Sequence, residues 1–78
     1  MDEILFRALV EAVDGYLGRV ERIAALSSEA GIELARLVGA WRSLLGQHPP
    51  ARRGRCAGCR APGMCSVWQV AGAWFVRA

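Results

Sequence analysis

One histidine and three cysteines lie within residues 48–65, HPPARRGRCAGCRAPGMC, spaced H-x7-C-x2-C-x5-C, and the chain has no other residue of either type. Three thiolates and one imidazole are a standard closed ligand set for a tetrahedral structural zinc ion. The spacing suits that chemistry. Two residues between Cys56 and Cys59 let both sulfurs turn toward one ion, and Gly58 permits the tight backbone between them. Cys65 opens a predicted helix, where N-terminal N–H groups favour a thiolate. His48 sits in the last turn of the helix before the loop. The expected metal ligands are His48, Cys56, Cys59 and Cys65. Zn2+ is the expected ion and an iron–sulfur cluster the alternative, since histidine also ligates such clusters.

Other cysteine chemistry fits poorly. An odd number of cysteines does not close a disulfide framework, and free thiolates point to a reducing, cytoplasmic setting. A thioredoxin-type CxxC belongs on an α/β fold, and no strand framework is evident here. A Cys–His hydrolase needs a free base and an orienting residue; the single histidine is claimed by the metal, and no acid follows Glu33. No glycine-rich phosphate loop is present. No enzyme and no small-molecule substrate are expected.

The elements that must hold these ligands are helical. Over residues 2–26, Leu5, Leu9, Val13, Leu17, Val20 and Ile23 or Ala24 form one stripe, widened by Phe6, Val10 and Tyr16. Gly15 and Gly18 mark a bend or a close approach of another backbone. Ser27 or Ser28 caps a second helix over residues 29–47, with its stripe on Leu34, Leu37, Val38, Trp41, Leu44, Leu45 and His48. Acids lead that helix (Glu29, Glu33) and arginines follow (Arg36, Arg42), as the helix dipole prefers. So short a turn makes an antiparallel hairpin, and Pro49-Pro50 stops it just after His48. Residues 66–77 predict a short third helix, a strand being the alternative, with Val67, Val70, Ala71 and Trp74 on one face and Trp68 and Phe75 beside it. Trp41 and Trp68 are expected in the core. Trp74 and Phe75 are adjacent, so one of them turns outward as an interface residue.

Seventy-eight residues make one domain: hairpin 2–47, metal-binding loop 48–65, C-terminal helix 66–77. At that size burial alone leaves a marginal fold, so a metal staple is expected. An apolar fraction of 54% is high for so small a chain and points to a protein partner or a homo-oligomer covering part of the surface. Asp2 and Glu3 stand where an export signal would carry positive charge. The apolar run over residues 67–76 reaches about half the ~20 residues of a membrane helix, so no membrane role is expected.

Charge divides along the chain. Residues 1–33 hold all seven acids with Arg7, Arg19 and Arg22, a net −4, whereas residues 34–78 carry +7 and no acid. Arg52, Arg53, Arg55 and Arg60 surround the cysteines, and their guanidinium forks suit the phosphate oxygens of nucleic acid. The alternative is a solvated basic loop offsetting thiolate charge, in a chain whose lack of lysine points to a GC-rich genome.

His48, Pro50, Arg53-Gly54-Arg55-Cys56, Cys59, Cys65 and Trp68 resemble a group of short actinobacterial proteins that follow a helical hairpin with HxP…RGRCxxC…C and a Trp-containing tail. The resemblance implies the same architecture and metal site, and no activity. Over residues 56–65 the C-x2-C-x5-C pattern also resembles the last three ligands of WhiB-like iron–sulfur regulators. An upstream fourth cysteine is lacking, and the glycine–tryptophan turn of that family is echoed only at Gly72-Ala73-Trp74. The expectation is an all-α, zinc-stapled module acting through protein–protein interaction or self-association. A nucleic-acid-binding accessory protein and an iron–sulfur redox sensor are the alternatives.

Overall fold

The computed structural model describes residues 3–26, 29–51, 56–59 and 65–76. Three α-helices build the fold: α1 (Glu3–Ala25), α2 (Glu29–Gly46) and α3 (Ser66–Phe75). Among the described residues there is no strand, only an isolated antiparallel bridge between Pro50 and Cys56. The architecture is the expected all-α one, a two-helix hairpin with a short third helix packed on it. The serine cap assigned to Ser27 or Ser28 lies outside the described residues.

The apolar stripes are narrower than periodicity alone implies. On α1, Phe6, Val13, Leu17 and Ala24 are buried, with Leu9, Val10, Tyr16 and Val20 half-buried. Leu5 and Ile23 turn out to be exposed, at 60% and 58%. On α2, Val38 and Leu45 are buried and Leu34 and Trp41 half-buried, whereas Leu37 is 60% exposed. A two-helix layer has one inner side, and a third helix of only ten residues, about 15 Å, cannot roof a first helix of about 35 Å.

α3 runs alongside α1 in the same direction. The Phe6 and Trp68 rings meet edge to face at 5.9 Å, Gly72 abuts Leu9, and the Tyr16 and Phe75 rings stack at 4.7 Å. Phe75 also meets Trp41 edge to face at 5.0 Å, tying α3 to α2. The inner face of α3 is therefore Trp68, Ala71 and Phe75, not the expected line through Val70 and Trp74, which are 47% and 78% exposed. At Gly72 a Cβ would lie 2.8 Å from Leu9 Cδ1, the end of a side chain rather than a backbone. At Gly15 and Gly18 a Cβ would meet only an arginine side chain, at 3.7 Å, so no second backbone comes near either.

Across the opposite side of the hairpin, Arg42 bridges Asp14 at 2.7 Å and Glu21 on α1. All three side chains are exposed, so each pair contributes roughly 0.2–1 kcal/mol, and less in salt. No helix among the described residues is long and apolar enough to cross a membrane.

Candidate metal centre

Three pieces of backbone deliver the four donor side chains: the end of α2, the segment of residues 56–59 and the start of α3. His48 follows α2, and its N–H donates to the Leu45 carbonyl at 3.0 Å, continuing the turn two residues past Gly46. Cys56 pairs with Pro50 in the isolated bridge, closed by the Ala57 N–H donating to the Pro49 carbonyl at 2.8 Å. Pro49-Pro50 thus does two things: it stops α2 and supplies the edge against which the first cysteine lies. Cys65 is the N-cap of α3 in extended backbone (φ −62°, ψ 125°), and its carbonyl accepts the Gln69 N–H at 2.9 Å.

The side chains converge. His48 Nδ1 lies 3.4 Å from Cys56 Sγ, 3.4 Å from Cys59 Sγ and 3.6 Å from Cys65 Sγ, and Cys59 Sγ lies 3.5 Å from Cys65 Sγ. All four donor atoms fall within 4.8 Å of one another, and no disulfide joins any of the cysteines. The group can hold a metal ion. Cys56 and Cys65 are buried; His48 and Cys59 are half-exposed, so the centre has a dry side against the helices and a wet side.

Packing fixes this geometry as much as the loop does. The Trp68 indole N–H donates to the His48 carbonyl at 2.7 Å, so the most buried aromatic of α3 holds the residue that carries the imidazole. Trp68 comes three residues after Cys65, one helical turn on. One side chain thereby sets the distance between the first ligand and the last. Gly58 passes under the end of α2: a Cβ there would overlap the Gln47 carbonyl oxygen and sit 3.1 Å from His48 Nδ1. Glycine is required at this position by space.

The thiols share charge unevenly. Hydrogen bonding to Cys65, with desolvation, pushes the Cys59 thiol up to about 11. Burial works the same way on Cys65, but the Trp68 N–H at the helix start and its sulfur neighbours outweigh it and bring Cys65 below the ordinary thiol range. Two neighbouring thiolates repel, so one sulfur of the pair keeps its proton until a cation replaces it.

All four ligands read from the sequence are brought together. Arg52, Arg53, Arg55 and Arg60, read as phosphate contacts, lie outside the described residues. Of the adjacent aromatics, Phe75 turns inward between Tyr16 and Trp41 and Trp74 turns outward, near Ala12, Tyr16 and Arg19. Sequence reasoning placed Trp68 in the core but missed its bond to His48. A tryptophan one turn after a ligating cysteine was the available signal.

Comparison of the chain with protein-family models, with curated proteins and with solved structures returned no match. The functional reading is carried by the site itself.

Proposed function

We propose that this chain is a zinc-stapled helical module without catalytic activity, working by binding another polypeptide, a protein partner or a second copy of itself, through apolar helix surface. The observation that carries the zinc reading is the spacing of the four donor atoms. With Zn–S of about 2.3 Å and Zn–N of about 2.0–2.1 Å, a tetrahedron separates sulfur from nitrogen by about 3.6 Å and sulfur from sulfur by about 3.8 Å. The distances here are 3.4 to 3.6 Å and 3.5 Å. Donors this close share one ion. A cluster places several irons and sulfides between its protein ligands and needs them spread wider, which speaks against the iron–sulfur alternative. A binding role fits Ile23, Leu26, Leu37 and Trp74, all more than half exposed, on a chain this small.

Metal content measured by mass spectrometry on anaerobically purified protein, beside His48→Ala, tests the reading. One zinc per chain, lost or weakened in the variant, supports it. Iron with sulfide, or no metal, overturns it. For the binding role, sedimentation or light scattering at high salt separates apolar self-association, which persists, from phosphate binding, which salt abolishes.

A further inference from the structure

We propose that Cys59 and Cys65 are a site of reversible oxidation by a peroxide, and that the disulfide they form releases the metal ion. The inference rests on the zinc reading above and concerns how that site is regulated.

Three observations single out this pair. Cys59 is the only half-exposed sulfur of the three; Cys56 and Cys65 are 5% and 2% exposed. A small oxidant arriving from solvent therefore meets Cys59 first. Cys59 Sγ already lies 3.5 Å from Cys65 Sγ, so closing to a bond of about 2.05 Å asks for a shift of roughly 1.5 Å in total. Cys56 is tied down by its bridge to Pro50 and by the hydrogen bond from Ala57 to Pro49.

The chemistry balances with one peroxide. The Cys59 sulfur attacks a peroxide oxygen; an S–O bond forms, the O–O bond breaks, and the departing hydroxide takes a proton to become water. The Cys65 sulfur then attacks the Cys59 sulfur; the S–S bond forms, the S–O bond breaks, and the second hydroxide leaves as water. The two sulfurs give up two electrons and the peroxide accepts them, with two solvent protons consumed when both sulfurs start as thiolates. A disulfide sulfur has no thiolate charge with which to bind the ion. What remains is His48 Nδ1 and Cys56 Sγ, two donors where a structural site uses four. A dithiol reductant restores both thiols and with them the site.

The test uses the intact zinc-loaded chain, hydrogen peroxide and a chromophoric zinc chelator in oxygen-free buffer. Zinc per chain is measured before oxidant is added, and the oxidised chain is then alkylated and digested. Cleavage after Arg60 puts Cys59 and Cys65 on different peptides and leaves Cys56 with Cys59. The expected result is zinc release in step with peroxide, two peptides joined by a disulfide with Cys56 as the alkylated cysteine, and rebinding after dithiothreitol. Cys65→Ala should give no disulfide-linked peptides, and the mapping of the unaltered chain decides even where that variant folds poorly. Zinc retained under excess peroxide, a disulfide between Cys56 and Cys59, or cross-links between chains overturns the inference. Less than one zinc per chain at the outset overturns the zinc reading, and this inference with it, before any oxidant is added.

Discussion

Trp68 does more at the centre than fill space. Its indole N–H holds the His48 carbonyl at 2.7 Å while its ring meets Phe6, so imidazole position and helix packing depend on one side chain. Trp68→Phe keeps an aromatic body and deletes the donor. The expected outcome is a folded, zinc-loaded protein whose zinc affinity drops about 10–100-fold, the usual cost of losing a group that orients a ligand. Competition against a chromophoric chelator measures it. Unchanged affinity would reduce Trp68 to a packing residue.

Proton competition belongs to the same scale. The Cys59 thiol, pushed up to about 11, is protonated at neutral pH, so an ion must displace that proton in order to bind. Loading therefore releases protons, and zinc affinity rises with pH and falls as pH drops. Between about pH 8 and pH 6 the affinity should fall at least about tenfold per unit, following the displaced proton, and more steeply as further ligands protonate. Titrations in buffers of differing ionisation heat count the protons directly.

At the scale of elements, α3 meets α1 where Gly72 faces the Leu9 side chain. Gly72 lets α3 approach until Leu9 Cδ1 would stand 2.8 Å from a Cβ. Gly72→Val should make the Leu9 side chain swing aside and destabilise the zinc-loaded protein by about 1 kcal/mol, the low end of the range for overpacked cores. Denaturant unfolding at fixed zinc concentration reads it. Arg42→Ala, on the other side of the hairpin, should cost less than about 1 kcal/mol and less again in high salt, because its partners Asp14 and Glu21 are exposed. The two substitutions rank packing against surface charge within one small fold.

For the whole molecule, a metal held by His48, Cys56, Cys59 and Cys65 would tie the end of α2 to the start of α3, while the remainder of the hairpin is held by Val13, Leu17, Val38 and Ala24. Chelation should loosen α3 and the ligand loop before it loosens the hairpin. Far-UV circular dichroism should then lose only part of its helical signal, with the Trp68 environment changing early in fluorescence. On the zinc proposal, binding favours the assembled site over the unfolded chain, so Tm should rise with free zinc concentration. A Tm indifferent to zinc would show that the helices hold the fold unaided.

Much of this protein is determined locally and is therefore legible in its sequence. Three helices follow from apolar periodicity and from stops such as Pro49-Pro50, which act over a few residues. The four donors could be named because metal chemistry accepts few residue types and short spacings. What tertiary structure alone decided is orientation about each helix axis. Periodicity marks an apolar side some 100° or more wide, and neighbouring helices choose the line within it that is buried. That choice took Ala24 over Ile23, left Leu5 and Leu37 in solvent, and turned Trp74 out and Phe75 in. The same contacts brought Trp68 to the His48 carbonyl and Gly72 to Leu9, pairings between residues 20 and 63 positions apart. Nothing local encodes such pairings, because they exist only once the helices have packed.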